Sequence, residues 1–226
     1  MDKNLQIIFE DDSIIVVNKP KNLLVHPTVY NEIDTLIDQL KDKIFIHDFP
    51  KSIRPGIIHR LDRNTTGLMV IAKNKLAFDS LSQQINERKL IRKYLAIVHR
   101  DFEHDEITIN VPIARSQRNL LKMIASDKPT AKKSITRLKV LQHFKDAALI
   151  ECELLTGRTH QIRVHLDYIH HNIFNDPLYG EFDGYTNYDQ FLHAHYLSFM
   201  HPVTLKRISF EVKPDEVFNS LVKKLS

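Results

Sequence analysis

Glycine is scarce in this chain of 226 residues, which contains only five. That is about one residue in 45, against a usual frequency of roughly one in 14. With 42% hydrophobic and 27% charged residues, the composition excludes a collagen-like repeat, a low-complexity scaffold and an intrinsically disordered chain. The length suits a single folded domain that buries a sizeable core.

Cysteine is rarer still, and the one residue, Cys152, cannot form an internal disulfide. A lone cysteine in a chain of this length is typical of a reducing compartment. Long apolar runs are also missing, since none approaches the roughly 20 residues that a membrane helix needs. The first twelve residues are acidic and lack a signal-peptide core. The sequence therefore predicts a cytoplasmic protein with no membrane partner.

Metal-site and hydrolase signatures are missing too, although the chain holds 13 histidines. His193 and His195 stand two apart on a predicted strand, so they share a face and are able to chelate an ion. No H-E-x-x-H or paired C-x-x-C pattern accompanies them, and no G-x-S-x-G elbow occurs. The sequence favours hydrogen-bonding histidines and keeps a metal-dependent phosphodiesterase only as a distant alternative.

Positive charge is unevenly distributed, although the net charge is only +4. Residues 115–139 hold eight Lys and Arg against one Asp, which is a local balance of 8 − 1 = +7. Such a concentration indicates a polyanion footprint, while the alternative is a solvated lysine-rich face. The residues we expect to contact a nucleic acid backbone here are Arg115, Arg118, Lys132, Lys133 and Arg137.

Hydrophobic periodicity predicts more strands than helices. The predicted strands cover residues 5–9, 14–17, 67–72, 94–98, 147–155 and 191–200. The predicted helices cover residues 33–44, 75–89 and 215–225, with a further helix beginning after Thr159. The two types do not alternate as in a doubly wound sheet, so the pattern indicates an α+β fold with one mixed, largely antiparallel sheet and flanking helices. We expect one domain over residues 1–226.

The stretch HRLDRNTTGL, residues 59–68, places Asp62 between Arg60 and Arg63. Neighbouring cations favour the ionised carboxylate, which suits nucleophilic or electrostatic work better than proton donation. The alternative is a loop aspartate that caps the following turn through backbone N–H groups.

The stretch LLTGRTHQIRVHL, residues 154–166, predicts a helix start with Thr156 or Thr159 as its N-cap. Arg163 then has two possible roles. It forms an intrahelical pair with Asp167, or it faces inward, as Arg158 also can, to hold a carboxylate or phosphate with its planar fork.

These segments together resemble the RluA-type family of pseudouridine synthases. Five stretches carry the resemblance in the family's order, and they are IIVVNKPKNLLVHP, HRLDRNTTGLMVIAKN, RKYLAIV, LLTGRTHQIRVHL, and NDPLYG followed by LHAHYLSFMHPVT. The second and fourth are highly specific in tandem. Thr66, Asn64 and Asn175 depart mildly from the family's usual residues, and none removes a proposed catalytic group.

The resemblance implies a central, largely antiparallel sheet crossed by an RNA-binding cleft, and an enzyme that isomerises uridine in RNA. It implies that Asp62 is the nucleophile and that Tyr94 stacks on the target base and helps to remove the C5 proton. Arg163 matches the arginine that pairs with the catalytic aspartate, and Arg60 the residue that enters the RNA stack after the base is extruded. No metal or organic cofactor is implied.

The same motifs imply further RNA contacts by His59, Arg63, Thr66, Arg158 and His160. The first motif begins close to the N-terminus, so we expect no S4-type RNA-binding domain. We assign target recognition to residues 115–139, which we call the basic segment. The expected partner is a ribosomal or transfer RNA stem-loop, bound by a monomer without an obligate protein partner. The alternative function is non-catalytic RNA binding on the same fold.

Overall fold

The structure is a computed structural model that describes residues 5–27, 34–50 and 54–226. Its packing divides the chain into two compact units. Unit 1 comprises the described residues up to Ile91 together with Ala194–Val212, and unit 2 comprises Arg92–His193 and Lys213–Ser226. The expectation of one domain over residues 1–226 stays a prediction.

Unit 1 is a β-sheet with two helices, built from strands at both ends of the chain. Its sheet runs in the order β1-β2-β3-β10, with β11 paired to β10, and the β1–β2, β2–β3 and β10–β11 pairs are antiparallel. The elements are β1 (Gln6–Glu10), β2 (Ile14–Lys19), α1 (Leu36–Leu40), 3-10 turns at Lys41–Lys43 and Ile46–Asp48, β3 (Thr66–Ala72), α2 (Lys75–Asn86), β10 (Leu192–Met200) and β11 (Arg207–Glu211).

Alternation along the strands of unit 1 builds its core. Ile14 and Val16 of β2 and Leu68 and Val70 of β3 point to the same face, where they pack with Leu81 of α2. All five side chains are at most 2% exposed. Helix α2 presents its apolar stripe to this face because Asn74 fixes its start by accepting a hydrogen bond from the Ala77 N–H at 2.9 Å.

Gly67 lets β3 approach β10 closely at the point where the HRLD stretch enters the sheet. Its φ is +111°, and a Cβ at this position would overlap the backbone carbonyl of Ala194. An L-residue side chain fits neither that backbone conformation nor that space. The glycine therefore fixes the junction between the Asp62 loop and β3.

Unit 2 carries the antiparallel strand order β4-β9-β8-β5 and a separate hairpin of β6 and β7. Its second helix is the last element of the chain. The elements are β4 (Ile91–His99), β5 (Glu106–Asn110), β6 (Ile113–Arg115), β7 (Met123–Ala125), β8 (Ile135–His143), β9 (Ala147–Leu154), α3 (Gln161–Tyr168) and α4 (Glu216–Leu225). A small core of Ile113, Val164 and Tyr179 joins β6 to α3.

The predicted α+β class with largely antiparallel strands is confirmed. The predicted helix over 33–44 is shorter than expected, since α1 covers Leu36–Leu40 before a 3-10 turn, and Ile33 lies outside the described residues. Five strands, β5 to β8 and β11, were not predicted. Among the helices of the described residues, none combines the length and apolar character needed to span a lipid bilayer.

Candidate active site

Asp62 lies in unit 1 on a short loop between Leu61 and the first residue of β3. The residue is half-buried, and the turn after it is closed by the Thr65 N–H, which donates to the Asp62 backbone carbonyl at 3.2 Å. The main chain thus contributes a hydrogen bond to this turn, and a capping role of the Asp62 side chain stays open. Thr66 begins β3 and is half-buried, while Arg63 between them is exposed.

Lys19, at the end of β2, is a fully buried lysine beneath the Asp62 loop. Its ammonium donates to three backbone carbonyls, those of Pro20 at 2.8 Å, Leu23 at 2.9 Å and Arg63 at 2.8 Å. Burial lowers the pKa of Lys19 to about 7, and the nearby Asp62 carboxylate opposes that shift. Three acceptors use all three N–H donors of an ammonium, so Lys19 ties the Asp62 loop to the turn after β2.

Replacing Lys19 by methionine should destabilise the protein by about 2–4 kcal/mol, because three backbone carbonyls lose a charged donor. The Arg63 carbonyl is one of them, so the Asp62 loop should loosen and turnover should fall with RNA affinity unchanged. Thermal unfolding and single-turnover kinetics check this. Lys75→Met on α2 is the matched control, since Lys75 forms an ion pair with the exposed Asp79. A Lys19→Met enzyme with normal stability and turnover contradicts the anchoring role.

Two histidines have contacts at the HRLD stretch that contains Asp62. His59 is 8% exposed, and its Nε2 accepts a hydrogen bond from the Val70 N–H at 3.2 Å. His26 Nε2 lies 3.2 Å from Arg60 Nη1 and 2.5 Å from Arg54 Nη1. Burial lowers the pKa of His26, and the two arginines lower it further. A neutral His26 therefore accepts from Arg60, the residue expected to enter the RNA stack.

In unit 2, helix α3 is fixed to β8 through two polar side chains on one face. Gln161 Nε2 donates to the Thr136 hydroxyl at 3.0 Å, and His165 Nδ1 lies 2.9 Å from the same oxygen. His165 Nε2 lies 3.0 Å from the Val111 carbonyl, and burial lowers the pKa of this histidine. These contacts fix the rotation of the helix and hence the direction of Arg163.

The predicted N-cap of this helix is wrong. His160, not Thr156 or Thr159, occupies that position, with a left-handed backbone (φ 56°) and no side-chain cap. The Thr156 hydroxyl instead donates to Gln161 Oε1 at 2.7 Å and accepts from the Ile135 N–H. The Thr156 hydroxyl therefore links the Gln161 side chain to the Ile135 backbone and does not cap the helix.

Arg163 forms a buried bidentate ion pair with Asp176. Its Nε and Nη2 each donate to one carboxylate oxygen at 2.7 Å, and the two residues are 5% and 0% exposed. Asp176 Oδ1 also accepts from the N–H groups of Leu178 and Tyr179. The Arg163 guanidinium lies 5.0 Å from the centre of the Tyr179 ring. Arg163 is thus oriented by a side chain of the DPLYG loop.

The intrahelical alternative for Arg163 is not what the described contacts show. Asp167 is exposed, and its carboxylate accepts from Asn172 Nδ2 at 2.9 Å. Arg163 therefore faces inward, which is the second of the two roles predicted from the sequence.

Tyr94 lies on β4 opposite Cys152 and is 4% exposed. The assembly of Asp62, Tyr94 and Arg163 into one catalytic centre stays a prediction.

A cavity of about 930 Å³ in unit 2 gathers much of the basic segment. Among the residues that line it, none is acidic. We call it the basic cavity. Its cationic lining residues are Arg115, Arg118, Lys128, Lys132 and Arg158. The hairpin of β6 and β7 and the turn before α3 thus bring together cations from distant stretches of the sequence.

Three predicted RNA contacts of unit 2 lie outside this lining. Arg137 is on β8 with its Nη1 3.7 Å from a Glu153 carboxylate oxygen, and Lys133 uses its backbone carbonyl to accept from Arg158 Nε at 3.2 Å. His160 Nδ1 lies 2.9 Å from the Tyr179 hydroxyl. RNA binding by Lys133, Arg137 and His160 stays a prediction.

The site prediction missed Lys19, Lys128, Asp176 and Tyr179. Tyr179 joins the parts of unit 2, because its hydroxyl accepts from the Met123 N–H at 2.8 Å and donates to the Met123 carbonyl at 3.1 Å. The quoted stretches NKP and NDPLYG contain three of these residues, so their presence in motifs was the available signal. No group of three potential metal ligands occurs within the ranges that the structure describes.

Comparisons with known proteins point to one family. The RNA pseudouridylate synthase family profile matches residues 13–168. A relative from Mycoplasma pneumoniae, an uncharacterized RNA pseudouridine synthase, is 40% identical over 98% of this chain and 71% of its own length. Ribosomal large subunit pseudouridine synthase D of Zymomonas mobilis is 36% identical over 98% and 73% of the two chains.

A solved structure gives the same result for the fold. Human RNA pseudouridylate synthase domain containing 1 superposes with a TM-score of 0.73 at 27% identity, over 99% of this chain and 95% of its own. The profile spans most of the chain, and it includes Asp62, Tyr94 and Arg163. This chain therefore belongs to the RNA pseudouridylate synthase family.

Proposed function

We propose that this protein converts uridine in large-subunit ribosomal RNA to pseudouridine, with Asp62 as the nucleophile on an extruded base. RNA pseudouridine synthesis is the activity of the family to which the chain belongs. The choice of ribosomal RNA rests on the relatives from Zymomonas mobilis and Neisseria meningitidis, which are named ribosomal large subunit pseudouridine synthase D. The proposal includes a cytoplasmic location, where the protein can reach ribosomal RNA.

The observation that carries the proposal is the anchored, half-buried Asp62 loop. Lys19 and the sheet hold the loop on both sides of the aspartate, so the carboxylate is presented in a defined position. A positioned carboxylate able to form a covalent intermediate needs this kind of preorganisation. A protein that only binds RNA gains nothing from an anion held beside a polyanion.

The reaction balances without a cofactor. The Asp62 carboxylate attacks C1′ of the ribose, and the C1′–N1 bond breaks with its electron pair leaving on the uracil. The base turns, its C5 bonds to C1′ and the carboxylate departs. The C5 proton is then removed with the help of Tyr94, and N1 gains a proton, so substrate and product are isomers.

Extrusion of the base has its own requirements. A base inside a stem or loop must leave the stack at a cost of a few kcal/mol. Arg60, held on His26, would fill the space, and the Tyr94 ring would stack on the uracil. Arg163, oriented by Asp176, would keep the Asp62 carboxylate ionised in a partly dehydrated pocket.

Pseudouridine mapping across total RNA tests the proposal. Cells that lack the native gene should lose one or more pseudouridines from large-subunit ribosomal RNA, and the wild-type gene should restore them. A control pseudouridine made by another enzyme should stay constant. If the lost sites lie in transfer RNA, the reaction stands and the proposed target falls. If no site changes in either RNA, the proposed function falls.

Lys132 gives a separate prediction about RNA binding. It lines the basic cavity, so Lys132→Gln should weaken binding of an RNA stem-loop several-fold and lower the slope of log Kd against log salt by about one. Lys145→Gln is the matched control, because Lys145 is equally a surface lysine of unit 2 but lies outside the cavity lining. Filter binding from 50 to 300 mM salt, roughly the range in which phosphate contacts are resolved, measures both. Equal slopes for the two variants would place the RNA elsewhere.

A further inference from the structure

Arg92 is a buried arginine that the proposed mechanism does not use. It lies on β4 two residues before Tyr94, so the two side chains leave the same face of the strand. Arg92 is 6% exposed. Its neighbour Lys93 points to the other face and is half-buried, with its ammonium 2.8 Å from Glu151 Oε1.

The Arg92 guanidinium carries an uncompensated charge in the described part of the chain. Its Nε has no hydrogen-bond partner there, and no carboxylate of the described residues forms an ion pair with it. Burial lowers the pKa of Arg92, and the nearby Tyr94 opposes that shift. The guanidinium is still charged at neutral pH, and a buried charge without a counter-ion is unfavourable.

Gly157 leaves room for this guanidinium. A Cβ at position 157 would lie 2.9 Å from Arg92 Nη1, closer than such contacts occur. The backbone of Gly157 is not in the left-handed region, so space rather than conformation explains the glycine. Gly157 also lines the basic cavity, beside Arg158. Arg92 is not itself a lining residue, and its guanidinium lies behind the cavity wall at Gly157, where a side chain is missing.

We propose that Arg92 and the backbone at Gly157 form a phosphate-binding subsite of the basic cavity, which takes one phosphate of the RNA backbone. The inference rests on the proposed RNA substrate. A guanidinium matches two phosphate oxygens with two parallel N–H donors, and every nucleotide supplies such an anion. Because Arg92 shares a strand face with Tyr94, a phosphate bound there fixes the RNA backbone relative to the residue that is expected to stack on the target base.

Inorganic phosphate at constant ionic strength, balanced with chloride, tests the subsite without RNA. Phosphate should raise the Tm of the wild type in a concentration-dependent way and should have a smaller effect on Arg92→Met. Without phosphate, Arg92→Met should be at least as stable as the wild type, because it removes an uncompensated buried charge. A lower Tm for Arg92→Met would assign the arginine a structural role, and an equal phosphate effect on both proteins would also overturn the subsite.

RNA binding gives the second readout. Arg92→Met should weaken binding of a uridine-containing RNA stem-loop about tenfold and lower the salt slope by about one. Arg92→Lys keeps the charge but loses the fork, so its slope should stay near the wild-type value with intermediate affinity. Gly157→Ala should weaken binding by displacing the guanidinium. Lys93→Gln, which removes a paired charge from the same strand, should keep the wild-type slope.

The outcomes separate this inference from the proposed function. If the wild type makes pseudouridine but Arg92→Met binds RNA and phosphate as Lys93→Gln does, only the subsite falls. If the wild type makes no pseudouridine while Arg92→Met alone loses phosphate and RNA binding, the subsite stands and the proposed function falls.

Discussion

Asp62→Asn is expected to bind RNA as well as the wild type or slightly better, and to make no pseudouridine. Asparagine keeps the shape of the side chain but does not attack C1′, so turnover should fall by roughly 10⁴–10⁶-fold, the range seen when a nucleophile is removed. Removing a negative charge from a site that receives a polyanion should preserve or strengthen affinity. Single-turnover assays on ribosomal RNA transcripts and filter binding measure the two effects.

The matched control for Asp62→Asn is Asp79→Asn. Asp79 is an exposed residue of α2 in the same unit, where it pairs with Lys75, and its replacement should leave both turnover and affinity unchanged. The cellular version compares pseudouridine maps from cells that lack the native gene and express either Asp62→Asn or the wild type. Identical maps, with the control pseudouridine detected, would overturn the assignment of the nucleophile.

The elements that could be predicted from the sequence are those with an uninterrupted apolar period. Residues 14–17 and 67–72 are apolar runs bounded by polar residues, and both form buried strands within β2 and β3. The α2 stripe likewise follows from Ala77, Leu81 and Ile85. In contrast, β8 alternates Leu138 and Val140 with cations. This alternation is typical of a half-buried strand, but the concentrated positive charge was interpreted as a binding surface and the strand was not predicted.

The residues of the site that could not be predicted depend on long-range contacts. Asp176 pairs with a residue 13 positions earlier, and nothing in the loop sequence DPLYG indicates that its carboxylate is fully buried. Lys19 lies within the NKP stretch of the first motif, but a lysine is normally expected on the protein surface. Its burial depends on three carbonyls, one of them 44 residues away. Motif matching located such residues, whereas their partners followed only from the fold.

Asp176→Asn should be the most destabilising single change in the site, because it removes the carboxylate charge from the buried bidentate ion pair with Arg163. Breaking such a pair costs about 3–5 kcal/mol, which corresponds to a fall in Tm of about 10 °C for a chain of this size. Asp167→Asn is the matched control. Asp167 lies one turn after Arg163 but is exposed, so its replacement should shift the stability by at most about 0.5 kcal/mol.

The double variant Arg163→Met/Asp176→Asn separates stability from catalysis. It removes both buried charges, so it should be more stable than Asp176→Asn alone, and the double-mutant cycle should show strong coupling. If Arg163 positions the Asp62 carboxylate as proposed, turnover should not recover, since misplacing a reacting group by about 1 Å is enough for a loss of about 100-fold. Thermal unfolding and single-turnover rates at a temperature where all variants are folded decide the matter. Additive losses of stability would show that the pair contributes little, while a double variant with wild-type turnover would show that Arg163 serves the fold and not the reaction.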